Sequence, residues 1–175
     1  MQSDGITPDT KDWTWVIERP CPECGFDAAS VDATRIGDAT RATLPRWASV
    51  LARADVDARP APGVWSPLEY AAHVRDVFRV FDGRLASMLE SDDPLFANWD
   101  QDAAAVEGDY LHQDPVAVAA ELAASGRAIA DRFDTVTPDV LGRPGRRSNG
   151  SVFTVETIGR YFLHDVMHHL YDVGA

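Results

Sequence analysis

Trp65-Ser66-Pro67-Leu68-Glu69-Tyr70-Ala71-Ala72-His73-Val74-Arg75-Asp76-Val77-Phe78-Arg79-Val80-Phe81 is the stretch on which the fold turns. Ser66 stands where an N-cap belongs. Pro67 suits the first helical position, where its missing N–H costs nothing, and Glu69 completes an S-x-x-E capping box. From there Tyr70, Val74, Val77, Phe78, Phe81, Leu85 and Met88 recur at helical spacing and draw one apolar stripe. His73 falls inside that stripe, where a leucine would be expected.

Upstream, Ile36, Leu44, Trp47, Val50, Leu51 and Ala54 predict a helix from about Ser30 to Ala54, which Pro45 should kink or split. Asp55 to Val64, with Pro60, Pro62 and Gly63, reads as a loop. Downstream, Asp92 to Gln113 is a long polar connection. Connections of that length without structure of their own are functional or disordered, and Trp99 and Tyr110 argue against disorder. Asn98-Trp99-Asp100 reads as a lid over an opening or as a loop anchor. Asp114-Pro115 opens a third helix, with Val118, Leu122, Ile129 and Phe133 on its buried face. Thr135 to Ser151 is a second connection, and a last helix runs from near Thr154 to about Val173. No run of alternating residues predicts strands. Four amphipathic helices with loops between them predict an all-α domain, a four-helix bundle over residues 29–175. Residues 1–28, with Cys21-Pro22-Glu23-Cys24, read as an extended N-terminal arm.

The chain has 175 residues and a net charge of -12, so its surface repels phosphate backbones and nucleic acid is not expected as a partner. No window predicts a membrane span, and the polar N-terminus carries no apolar signal core. The expected location is cytoplasmic, with Cys21 and Cys24 reduced. Phosphate-binding, dinucleotide-binding and nucleophile-elbow motifs are absent.

The last helix holds His164-Asp165-Val166-Met167-His168-His169. Positions i and i+4 project from nearly the same face, so His164 and His168 could give one nitrogen each to a divalent metal. With His73 they would form a three-nitrogen set with the open position that a catalytic metal needs. The competing readings are a solvent-facing polar stripe for the pair and a hydrogen-bonded core histidine for His73. His169, about 140° around the helix from His164, reads as a packing residue, and His112 receives no role. Asp76 and Asp165 are candidates to steady the metal-binding imidazoles from outside, against the plainer reading of surface carboxylates. Arg143, Arg146 and Arg147 read as a receiver for an anionic thiol or substrate, or as a counterweight to neighbouring acids. Cys21 and Cys24 could be a reduced packing pair, a redox or thiol-exchange pair, or ligands of a separate metal whose other ligands the sequence does not reveal.

The segments Trp65 to Asp76 and His164 to His169 resemble the second-helix and last-helix motifs of the DinB/YfiT-like superfamily of metalloenzymes, in the right order and separation. The resemblance covers about residues 30–173. It implies an up-down-down-up bundle and a metal on His73, His164 and His168. Some members of that superfamily are thiol-dependent S-transferases and isomerases. The resemblance therefore implies a divalent metal, zinc or nickel favoured, with a low-molecular-weight thiol and an electrophilic substrate as small-molecule partners. Three neutral imidazoles would leave the metal its full charge to hold a thiolate. Metal-assisted hydrolysis and a non-catalytic metal- or ligand-binding bundle stand as the alternatives, and a homodimer is left open.

Overall fold

A computed structural model describes residues 5–175. Four long helices carry the fold: α1 (Ile36–Leu51), α2 (Pro67–Glu90), α4 (Pro115–Phe133) and α5 (Val155–Asp172). A short α3 (Gln101–Glu107) lies in the connection between α2 and α4.

Side-chain pairs fix the helix directions. Arg75 reaches Glu121 and Arg132 reaches Asp82, so α2 and α4 run parallel. The β-carbon side of Gly37 faces Asp134 and that of Gly126 faces Leu44, so α1 and α4 are antiparallel. His73 meets His169 at one end and Phe81 meets Phe162 further along, so α2 and α5 are antiparallel. The order is therefore up-down-down-up. Two successive helices can run parallel only if a long connection carries the chain back, and residues 91–114 do so.

The helix starts are built as the sequence indicates. Ser66 Oγ accepts from the Glu69 N–H at 3.2 Å, and Glu69 Oε2 accepts from the Ser66 N–H at 2.8 Å. Arg59 adds two bonds to the same carboxylate, at 2.9 and 2.6 Å. Asp114 caps α4 ahead of Pro115, and Thr154 and Thr157 close a reciprocal cap on α5. In the core, Phe162 packs against Phe78, Phe81 and Phe133 with ring centroids 5.5–5.9 Å apart.

Three expectations change. The first helix begins at Ile36 rather than Ser30, because Asp27 and Asp32 each cap a separate 3-10 turn ahead of it. Pro45 lies within α1 without ending it. The connections expected to lack strands form a small sheet: β1 (Leu95–Phe96) pairs parallel with β2 (Pro144–Arg147), which pairs antiparallel with β3 (Val152–Thr154). Strands of two to four residues carry too few alternating positions to register as a pattern. Gly145 lets β2 lie against Met88, since a β-carbon there would fall 2.7 Å from that side chain. No helix among the described residues is long and apolar enough to cross a membrane.

Candidate metal centre

Two interleaved pairs on α5 face different neighbours. The i,i+4 pair Asp165 and His169 faces α2 and meets His73. The pair His164 and His168 faces the N-terminal arm and meets Cys21 and Cys24. In each set one ligand atom per residue lies within 4.8 Å of every other, and these are the two such sets among the described residues. The structure thus does not bring His73, His164 and His168 together as one group. Asp165, expected as an outer carboxylate, and His169, expected as a packing residue, instead lie with His73 in one set of potential ligand atoms.

His73 is wholly buried at the start of α2. Its Nε2 lies 3.5 Å from Asp165 Oδ1, and His169 Nε2 lies 3.3 Å from the same oxygen. Both ring nitrogens of His73 and Oδ1 of Asp165 are buried with no hydrogen-bond partner. Unpartnered buried polar atoms cost free energy, and two of these, Nε2 of His73 and Oδ1 of Asp165, face each other at a separation that fits a shared cation. Two imidazoles and a carboxylate are also a donor set that leaves a fourth position open on a tetrahedral metal. His169 Nδ1 lies 2.8 Å from Asp172 Oδ2. That carboxylate holds the proton on Nδ1 and turns Nε2 toward Asp165, the usual outer-sphere arrangement for a metal-binding histidine.

The electrostatics describe the centre without a metal. Burial pushes the His73 pKa down, so the ring stays neutral and able to donate a lone pair. The Asp165 carboxyl is held far below the ordinary range: burial opposes this, but His169 and His73 outweigh it. His169 is held up at about 9 against its burial by Asp165 and Asp172, so without a metal its ring is the charged partner of Asp165, and a metal would have to displace the proton on Nε2. Burial and the neighbouring His168 push His164 down to about 4. Burial raises the Cys24 thiol to about 11, drawn back by the Phe26 N–H and raised further by Cys21.

Aromatic rings enclose the His73 set. Trp99 stacks on the His73 ring at 5.4 Å with the planes 9° apart, and Trp65 packs beside it at 5.3 Å. The Asn98-Trp99-Asp100 stretch therefore covers the centre, and Asp100 also caps α3 behind it. Asp76 does not hold the second ring nitrogen of His73. It accepts from Arg75, Arg79 and the Tyr110 hydroxyl instead.

Asp165 opens onto two cavities. One, of about 260 Å³, is walled by Tyr70, Asp102, His169 and, from the arm, Lys11 and Trp13. The other, of about 720 Å³, is walled by Phe81, Arg84, Trp99, Arg147 and Tyr161. Of the expected arginine cluster only Arg147 lines this space. Arg143 bonds the Ser91 carbonyl and Arg146 the Asp93 carboxylate, so both tie the sheet to the end of α2. Arg84, not singled out in the sequence, is buried beside the same cavity, donates to the Ala97 carbonyl, and has its pKa lowered to about 10 by burial and the nearby Arg147. Neither Arg84 nor Arg147 forms an ion pair with a carboxylate among the described residues. The Asp102 carboxyl, on α3, is pushed up by burial and by Asp100 and Asp9.

A sequence profile of the DinB superfamily matches residues 37–173. No curated protein matches the chain. Among solved structures, YfiT from Bacillus subtilis is similar, with a TM-score of 0.66 at 18% identity over 81% of this chain and 83% of that one. It is described as a probable metal-dependent hydrolase with an unusual four-helix bundle topology. At that identity the likeness is one of fold.

Proposed function

The chain belongs to the DinB superfamily, and from that premise we propose that it is a metal-dependent hydrolase acting on a small substrate that bears a carboxylate. His73, Asp165 and His169 hold the metal in this reading. The observation that carries it is the convergence of unpartnered, buried ligand atoms from His73 and Asp165 beside His169, at the wall of two cavities. A divalent metal bound there supplies Lewis acidity and acidifies whatever fills its open position.

The residues of the chain divide the remaining tasks. Arg84 and Arg147 hold the carboxylate of the substrate, which an arginine fork matches in shape and charge. Trp99, stacked on His73, excludes bulk water from the metal side. Asp102 accepts a proton, because burial and its acidic neighbours keep its carboxyl more basic than a free one. The description of YfiT as a probable metal-dependent hydrolase supports the same class.

Thiol transfer is the second reading. The same two arginines favour it, since they would hold the carboxylate of a thiol equally well. The donor set favours it less. An aspartate in place of a third imidazole lowers the net charge of the centre, and with it the pull on a thiolate.

The test is turnover by the zinc- or nickel-loaded chain of carboxylate-bearing esters and amides, beside a thiol paired with a generic electrophile. Hydrolysis lost in Asp165→Asn and weakened in Arg84→Lys supports the reading. Adduct formation with thiol, and no hydrolysis in its absence, would replace it with thiol transfer.

A further inference from the structure

The superfamily match begins at residue 37, so it includes neither Cys21 nor Cys24, and the His73 centre uses neither His164 nor His168. These four residues nevertheless meet. We propose that Cys21, Cys24, His164 and His168 bind a second metal, a structural zinc ion that fastens the N-terminal arm to α5. This inference does not depend on the activity proposed above.

Both halves have the spacing of a Cys2His2 site, C-x-x-C and H-x-x-x-H. The chain brings them together across 147 residues, with Cys21 Sγ 3.8 Å from His168 Nδ1. Zinc–sulfur and zinc–nitrogen bonds of about 2.3 and 2.0 Å, at a tetrahedral angle, put sulfur and nitrogen about 3.5 Å apart. The four ligand atoms, all within 4.8 Å of one another, need only a slight contraction to close on an ion.

The local backbone is shaped for this. The Cys21 N–H donates to the Phe26 carbonyl at 2.8 Å, and the Gly25 N–H donates to the Cys21 carbonyl at 2.9 Å. Gly25 sits at a φ of +75°, the left-handed conformation that glycine adopts without a steric penalty. The resulting tight turn brings both thiols to one side. Cys21, His164 and His168 are buried, and Nε2 of His164 is buried with no partner.

Four protein ligands fill a tetrahedron, so this centre has no open position and its role is structural. Two thiolates balance a dipositive ion, which suits the burial. Each thiol gives its proton to solvent on ligation. A Cys21–Cys24 disulfide would leave the buried Nε2 of His164 without a partner, whereas one ion would draw on all four side chains. The consequence reaches the other centre. The arm between Asp9 and Glu23 supplies Lys11 and Trp13 to the smaller cavity, and Trp13 packs on His168 at 4.9 Å and His164 at 5.5 Å. Zinc in the second site therefore holds one wall of the first.

The experiment is cobalt(II) titration of the full chain, purified untagged under reducing conditions and then stripped of metal. A sulfur-to-cobalt charge-transfer band should appear in the near ultraviolet. It should weaken in Cys21→Ser and in Cys24→Ser, vanish when both are replaced, and persist in His73→Ala and Asp165→Asn. His168→Cys should keep the site and strengthen the band by a third sulfur, which tests the geometry even if the serine variants fold poorly. A wild-type spectrum without the band overturns the proposal, as does a band unchanged by loss of both cysteines. Loss of the band with metal still bound through Asp165 would leave the first centre standing, and the reverse result would leave the second.

Discussion

His73 Nε2 and Asp165 Oδ1 lie 3.5 Å apart, both buried and both without a hydrogen-bond partner. Such a pair would ordinarily approach within bonding distance or recede. With His169 Nε2 at 3.3 Å from the same oxygen, these three residues form the candidate metal set of the proposed function.

Removing either partner should therefore remove one metal. His73→Ala and Asp165→Asn should each lose one equivalent in isothermal titration and retain the equivalent bound through Cys21 and Cys24. Asp172→Asn, which frees the His169 ring from its carboxylate, should weaken the same equivalent by roughly 10–100-fold. His112→Ala, with its ring on the exposed Asp109 side chain, should change nothing. Equal stoichiometry in all four variants would falsify the assignment.

Trp99 shields the centre by stacking on His73. Trp99→Ala should speed removal of that metal by a chelator while leaving the sulfur-ligated ion at its wild-type rate. Stopped-flow measurement with a chromogenic chelator separates the two phases. Unchanged kinetics in both would mean that the indole is no barrier.

The start of α2 should show a defined acid sensitivity. Burial opposes ionisation of Glu69, but the Arg59 guanidinium and the Ser66 N–H hold its carboxyl below the usual range. A depressed folded-state value contributes stability above the unfolded value of about 4.3, and loses it as pH falls through the folded one. Glu69→Gln should thus be less stable than wild type at pH 7, with the gap narrowing below about pH 4. Ser66→Ala should cost about 0.5–2 kcal/mol at neutral pH. Urea midpoints at the two pH values check both, and a gap that widens in acid would contradict the assignment.

Two glycines should respond in opposite directions. A β-carbon on Gly126 would fall 2.5 Å from Leu44 and 2.8 Å from Phe78, where α4 crosses α1 and α2. Gly126→Ala should cost about 1–3 kcal/mol through overpacking. Gly83, exposed inside α2, has nothing within 4 Å of the same position. Gly83→Ala should gain about 0.5–1 kcal/mol from helix propensity. Thermal melts of both variants decide it.

The sequence by itself determined the bundle. Caps at Ser66, Asp114 and Thr154 and the 3.6-residue stripes are local signals, legible without knowing any neighbour. It also placed candidate metal-binding residues on α2 and α5. It did not determine which pair on α5 belongs with His73. Periodicity makes His164 and His168 neighbours, but it does the same for Asp165 and His169, and spacing cannot choose between them. One signal was available. Phe162, Val166, Leu170 and Val173 point into the core, centred about 195° from His164 at 100° per residue. Asp165 and His169, at about 100° and 140°, therefore flank the core and can reach α2. His164 and His168, at 0° and about 40°, point away and can meet only a segment laid over that side. That segment is the arm, whose Cys21 and Cys24 lie far from α5 along the chain. Only the tertiary structure brought them together, because helix rotation and arm placement are set by burial across the whole domain and by no local preference of the residues themselves.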